Sequence, residues 1–273
     1  MSNKLFFYTL SQDYCSYLKF FDRRVPHIHA GKEKRPFVGI VLKVNNVDFY
    51  APLSSPKPKH LSMKNNIDFT KIASGVLGAI NFNNMIPIPL NSLTKINPKV
   101  TSKMDSDEIK YNLMLQNQLS WCNSNKAKII DKAQRLYDNY KAGNLNHDVI
   151  DRCCDFSILE EKCELWKKYP NLVNSILYNN TLKELNDHIR HKDTGYSTSM
   201  LEGKHFIYNN DLYRIDQIEL KPLGSDSAIL TKLNISGEEK YVDNNFTSDS
   251  KFNLHLQKID SKILSNFKDN KNK

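Results

Sequence analysis

The chain has 273 residues, 40% of them apolar and 25% charged, with a net charge of +9. That length can bury one large core or two ordinary ones, and the composition excludes a disordered or collagen-like chain. No apolar run reaches about 18 residues, so no transmembrane helix is expected.

The N-terminal apolar patch has no small-residue cleavage site behind it, and the expected location is the cytoplasm. The five cysteines are Cys15, Cys122, Cys153, Cys154 and Cys163. They are odd in number and form no CxxC pair. They read as free thiols, and neither a metal nor a cofactor is expected. Residues 171–273 carry 14 basic and 14 acidic side chains, so the whole +9 belongs to residues 1–170. A polyanionic partner for the first part is one reading, and a Lys- and Asn-rich background composition, which makes a protein basic without such a partner, is the other.

In chain order, Lys4–Leu10 reads as an apolar strand. Ser11 is placed to cap a helix over Gln12–Asp22, where Tyr14, Tyr17, Leu18 and Phe21 form one buried stripe. An exposed Tyr14 would instead stack on a base. His27–Pro36 is a polar loop carrying Lys32, Lys34 and Arg35. Phe37–Asn45 and Val47–Ala51 make a hairpin turning at Asn45-Asn46. The antiparallel pairing brings Arg35, just before the first strand, near Ser54 and Ser55, just after the second. Lys59–Asp68 reads as irregular. Phe69–Ile72, Val76–Phe82 and Met85–Pro89 read as short strands, the last an edge because of its prolines. Residues 4 to about 100 therefore predict a mainly antiparallel barrel or curved sheet with one inserted helix.

Helices follow at Asp107–Cys122, where Ile109, Leu113, Leu119 and Trp121 stand beside a polar set of Tyr111, Gln116, Asn117 and Gln118, and at Lys126–Lys141. A third opens on a capping box, Ser157 to Glu160, and runs to Trp166 or Tyr169. After Pro170 come an amphipathic stretch, Leu172–Ile189, and strands at His205–Tyr208, Leu212–Leu220, Ala228–Asn234 and Lys240–Val242. A terminal helix is expected over Leu254–Phe267. The expected class is α+β, in two domains, 1–170 and 171–273.

Several enzyme signatures are missing: P-loop, GxGxxG, GxSxG and HExxH. Metal-free RNA cleavage needs less, because RNA carries its own nucleophile in the 2′-OH. The protein must orient that group, move protons and neutralise charge on the phosphorus. Ser54-Ser55-Pro56-Lys57-Pro58-Lys59-His60 supplies hydroxyls, amines and an imidazole in seven residues, with Arg35 nearby. Ordinary surface turns share that composition.

Several segments together resemble the ToxN/AbiQ family of toxins. They are Phe7-Tyr8-Thr9-Leu10, Phe37-Val38-Gly39-Ile40-Val41-Leu42, Ala51-Pro52-Leu53-Ser54-Ser55-Pro56-Lys57, Gly78-Ala79-Ile80-Asn81, Met85-Ile86-Pro87-Ile88 and Cys154-Asp155-Phe156-Ser157-Ile158-Leu159-Glu160-Glu161-Lys162. The resemblance implies a twisted antiparallel barrel-like sheet of the MazF/Kid type, flanked by helices and followed here by a smaller α+β domain. It implies a metal-independent endoribonuclease that leaves 2′,3′-cyclic phosphate and 5′-hydroxyl ends. Its partners would be target mRNA and a small repeat-derived structured antitoxin RNA, held in a toxin–RNA hetero-oligomer, with no membrane. An abortive phage-defence role goes with the family.

The family's Thr/Ser-Ser-Pro-Lys motif falls on Ser54, Ser55, Pro56 and Lys57, with the active-site serine at Ser55. Its basic residue falls on Arg35, whose guanidinium suits a phosphate clamp better than proton transfer. The catalytic candidates are thus Ser55, Lys57, Ser54, Arg35 and His60. Lys32, Lys34, Lys59, Tyr14, Asn81 and Gln116 are the RNA-binding candidates. A non-catalytic RNA-binding protein using the same basic groove is the alternative.

Overall fold

The computed structural model describes residues 4–26, 35–169, 172, 202–219, 227–246 and 254–259. Two compact units divide the chain, Met1–Glu164 and Leu165–Lys273.

The first unit is built on a seven-stranded antiparallel sheet. Its strands are β1 (Phe6–Leu10), β2 (Phe37–Val44), β3 (Val47–Ser54), β4 (Phe69–Lys71), β5 (Ala79–Asn81), β6 (Ile86–Pro87) and β7 (Leu93–Lys95). They run in the order β4-β5-β3-β2-β1-β7, and β6 pairs with β3. The sheet is open, with β4 and β7 at its ends, where a closed barrel would have no ends. The β2–β3 hairpin forms because Asn45 accepts the left-handed conformation its turn demands, at φ 52°. Apolar residues fill both faces of the central strands: Phe37, Val38, Phe49, Tyr50 and Ile80 are all fully buried.

Six helices surround or follow this sheet: α1 (Gln12–Phe21), α2 (Pro58–Ser62), α3 (Ser106–Ser124), α4 (Lys126–Lys141), α5 (His147–Arg152) and α6 (Phe156–Lys168). Ser11 caps α1 by accepting from the Tyr14 amide. Tyr14 and Tyr17 are wholly buried, with their hydroxyls donating to Pro87 O at 2.8 Å and Lys162 O at 3.1 Å. The helical stripe read from the sequence is a core stripe, and Tyr14 presents no ring face to a base. α4 and α6 meet the sheet at Phe49, which packs edge-on against Tyr137 and Phe156, each at 5.9 Å between centroids.

Three local expectations are corrected. Lys59–Asp68 is not all irregular, because α2 occupies Pro58–Ser62, with Pro58 in its first turn. Val76–Phe82 is not one strand, because turns with left-handed Gly75 and Gly78 delay β5 to Ala79. At the start of α6 the capping side chain is Asp155, which accepts from the Ile158 amide at 3.0 Å, while the Ser157 hydroxyl accepts from Lys141 Nζ at 2.8 Å. The capping box lies instead at α3, between Asp105 and Glu108.

The second unit holds a five-stranded antiparallel sheet of β8 (His205–Tyr208), β9 (Asp211–Glu219), β10 (Ser227–Leu233), β11 (Glu238–Asp243) and β12 (Gln257–Lys258). Its core gathers Phe206, Tyr213, Ile215, Leu230 and Phe246. The segment expected to open a terminal helix is β12 instead, pairing Gln257 with Val242. The rest of that expected helix lies outside the described residues, as does Leu172–Ile189 apart from Leu172.

Candidate active site

The candidate loop starts on a strand. Ser54 is the last residue of β3, between β2 and β5. On one side it pairs with Ala79. On the other, Phe37 pairs with Pro52, and Leu53 N–H donates to Pro36 O at 2.9 Å. Continuing that antiparallel register puts Arg35 opposite Ser54. The observed pairing reaches Pro36 and Leu53, one residue short of the pair inferred from the hairpin. Ser54 and Arg35 are half-buried, whereas Ser55, Lys57 and Lys59 are exposed.

Asn81 Nδ2 donates to Ser54 Oγ at 2.7 Å. Asn81 was a candidate for touching RNA, and its amide is engaged with the serine. With a lone pair of Ser54 Oγ occupied, its O–H proton is free to serve as a donor.

Beneath the loop runs a turn that sequence reasoning did not single out. Gly78 has φ +94°, and a Cβ there would sit 2.1 Å from Ser54 O and 3.1 Å from the Ser55 carbonyl carbon. Gly75 has φ +97°, and a Cβ there would sit 2.4 Å from His60 O. Between them the two glycines let the backbone approach both ends of the loop. Ala73 and Ser74 also take left-handed conformations, at φ 47° and 57°, so local strain is gathered under the site. α3 braces the turn through buried Gln118, whose Nε2 donates to Leu77 O at 2.6 Å. The signal in the sequence was the Gly75-Val76-Leu77-Gly78 spacing.

Past Ser55 the chain enters α2. Lys57 occupies its N-cap without a side-chain hydrogen bond, and its carbonyl accepts from the His60 amide at 2.9 Å. The His60 ring is only 2% exposed and packs 5.9 Å from the Phe69 ring, with Nδ1 lacking a hydrogen-bond partner. Burial first, then the charges of Lys57 and Lys59, push its pKa below the ordinary histidine value. Its position suits holding α2 against β4 better than meeting a phosphate. Other cations around the loop are partly tied down. Lys71 Nζ donates to Leu61 O at 3.2 Å and Lys132 Nζ to Asn66 O at 2.9 Å.

The remaining candidates lie elsewhere. Gln116 sits on exposed α3, donating to Pro98 O at 2.8 Å. Lys32 and Lys34 fall outside the described residues. Among the described residues, no helix is long and apolar enough to cross a membrane, and no group of three or more His, Cys, Asp or Glu could hold a metal ion.

Comparison with known proteins gives this loop its relatives. The Endoribonuclease ToxN of Pectobacterium atrosepticum is 32% identical over 164 residues, which span 57% of this chain and 90% of that one. That of Bacillus thuringiensis subsp. kurstaki is 30% identical over 166 residues, 59% of this chain and 84% of that one. The Endoribonuclease AbiQ of Lactococcus lactis subsp. lactis is 29% identical over 172 residues and 89% of its length. Among solved structures, AbiQ, a lactococcal anti-phage endoribonuclease, matches with TM-score 0.51 and 27% identity, covering 61% of this chain and 99% of that one. A type III toxin–antitoxin structure concerned with toxin inhibition by a non-coding RNA pseudoknot matches with TM-score 0.52 and 27% identity, covering 60% and 99%. A family model described as toxin ToxN of type III toxin–antitoxin systems matches residues 6–164, the span that carries the open sheet, the loop and its glycine turn. The chain belongs to the ToxN family of toxins.

Proposed function

We propose that this protein cuts RNA by attack of a ribose 2′-oxygen on the adjacent phosphate, at the loop from Ser54 to Lys57. It is an endoribonuclease toxin of a type III toxin–antitoxin system. In the step at the loop, the 2′-O–P bond forms and the P–5′-O bond breaks, leaving a 2′,3′-cyclic phosphate and a 5′-hydroxyl. One proton leaves the 2′-OH and one reaches the departing 5′-oxygen, so no metal is needed. Ser54, its Oγ already accepting from Asn81, donates to a phosphoryl oxygen. Ser55, exposed one residue further, meets the reacting group. Lys57 and Arg35 neutralise the charge that builds on phosphorus, Arg35 as a clamp that keeps its proton. His60 supports α2 from below.

The single observation that carries this reading is the pairing of β2 and β3. Its register, extended beyond Phe37–Pro52, supports Arg35 lying across from Ser54 at the mouth of the loop. The partners we infer are target mRNA and a structured non-coding antitoxin RNA, assembled with the toxin, in a cytoplasmic phage-defence role. The AbiQ relative is described as an anti-phage endoribonuclease.

The test is direct. Purified protein incubated with unstructured RNA in EDTA should yield fragments ending in cyclic phosphate. Ser55→Ala and Lys57→Ala should each stop cleavage and let cells survive expression. Retention of the RNA on a gel without cleavage would favour a binding protein, and full toxicity of both variants would remove the site from this loop.

A further inference from the structure

Three strands away from Ser54, at the β7 end of the sheet, a cavity of about 380 Å³ opens between β7 and α3. At the spacing of adjacent strands this is about 14 Å across the sheet from the cleavage loop. The volume lies in the range of small-ligand sites, about 300–1,000 Å³. Its floor is apolar, from Ile96, Met104 and buried Leu115, and Tyr111 adds a half-buried ring.

Its polar groups are of the kind that read a base edge. They are the Thr94 hydroxyl and the Asn112 carboxamide, with the Thr9 hydroxyl, which donates to Thr94 O at 3.4 Å, and the Asn97 carboxamide, whose Oδ1 accepts from Lys99 N at 3.3 Å. Asn112 Nδ2 donates to Met104 Sδ at 3.1 Å, and a thioether is a weak acceptor. Exchanging that sulfur for a base nitrogen or carbonyl oxygen therefore costs little. Met104 is also the kind of flexible side chain that gives way to a ligand. Glu108 lines the mouth with one carboxylate oxygen accepting from the Asp105 amide at 3.2 Å, and its other oxygen suits a ribose hydroxyl or an exocyclic amine.

Charge at the rim is mixed, with Glu108 at the mouth and exposed Asp105 and Asp107 beside it, so the case for a nucleotide rests on the groups that read a base. Lys95 carries its ammonium over the Phe6 ring, 3.3 Å from the centroid, while exposed Lys99 and Lys103 lie on the 97–104 segment that borders the cavity. Such cations meet backbone phosphates.

We propose that this cavity is a nucleotide subsite, separate from the cleavage loop, that takes one unpaired nucleotide of a bound RNA. The base would stack on Tyr111, the Asn112 and Thr94 side chains would contact its edge, and Lys99 and Lys103 would face the phosphate. The proposal rests on the reading of the chain as an RNA-acting toxin, and its test separates the two.

Full-length protein carrying labelled methionine and threonine methyl groups is titrated with AMP, GMP, CMP and UMP in turn. The Met104 and Thr94 methyl signals should move with at least one nucleotide and stay still in Asn112→Ala. In cleavage assays Asn112→Ala should raise KM for a long RNA about tenfold with kcat unchanged, the loss of about one stacked and hydrogen-bonded base. An oligonucleotide too short to span loop and cavity should show no change. Thr94→Val, which keeps the β7 backbone pairing, repeats the test if Asn112→Ala fails to fold. Still signals with all four nucleotides would overturn the proposal, as would shifts and KM unchanged in both variants. Nucleotide-dependent shifts in a protein that cuts no RNA would uphold the subsite and discard the ribonuclease reading.

Discussion

Asn81 Nδ2 stands 2.7 Å from Ser54 Oγ and donates to it across β5 and β3. The direction of that bond sets what the serine can offer. Asn81→Ala should lower kcat about tenfold, the worth of roughly one hydrogen bond in the transition state. Asn81→Asp, nearly the same shape, turns a donor into an acceptor and draws the serine proton away from the phosphate, so its loss should be larger. In a Ser54→Ala background both losses should disappear. A double-mutant cycle on kcat checks this, and additive effects would show that Asn81 acts on something else.

The turn below the loop makes the second prediction. Gly78→Ala places a methyl group where Ser54 O lies 2.1 Å away, in a backbone conformation at φ +94°. The loop must move, and a displacement of about 1 Å is enough to cost about 100-fold in rate. Circular dichroism should report a folded sheet while RNA cleavage falls. A variant that cleaves at the normal rate would show that the loop does not depend on this support.

Two buried histidines give the protein an acid-sensitive side. His60 and His205 both have pKa values below the ordinary 6.5, and burial is the main cause in each. For His205 the value is pushed down to about 4. The unfolded chain binds these protons first. The stability they contribute is complete above pH 6.5 and is lost as pH falls through the folded-state value. Protection factors at the α2 amides, which remove the intrinsic pH dependence of exchange, should fall below pH 6.5 in the wild type, and that fall should be absent in His60→Phe. The β8–β9 amides should respond between pH 6.5 and 4, and His205→Phe should remove that response.

A fourth prediction concerns stability alone. Asp68 is 2% exposed and receives Arg152 Nε and Nη2, while its main-chain oxygen accepts from Phe82 N at 2.9 Å. Arg152→Ala strands a buried carboxylate. Because the arginine is itself partly exposed, the cost should be about 2 kcal/mol, below that of breaking a fully buried pair. Urea unfolding measures it. Cleavage per folded molecule should be unchanged.

Much of this architecture was legible because periodicity and turn chemistry agree. The span read for α4, Lys126–Lys141, is the span observed, and the strand His205–Tyr208 is likewise. The Asn45 and Asn209-Asn210 turns adopt the positive φ values that asparagine tolerates. α2 was not legible, since five residues rich in proline and lysine carry no helical period. The burial of His60 was hidden for the same reason: it depends on Phe69 and Gly75, distant in sequence. Asn81 was read as an RNA contact, and only the β3–β5 pairing reveals that it addresses Ser54. The start of β12 was misread because Leu254, Leu256 and Ile259 suit a helix as well as a strand, and the edge of β11 decided between them.

The floor under the loop is made of absent atoms, and that limits how the candidate loop could be moved into another protein. A transplant of residues 54–60 alone would leave Ser54, Ser55 and Lys57 without their mould, because Gly75 and Gly78 shape them from a different stretch of chain. The smallest portable unit is two-part, 54–60 with 72–81. It needs a host sheet that keeps the β3 and β5 ends side by side.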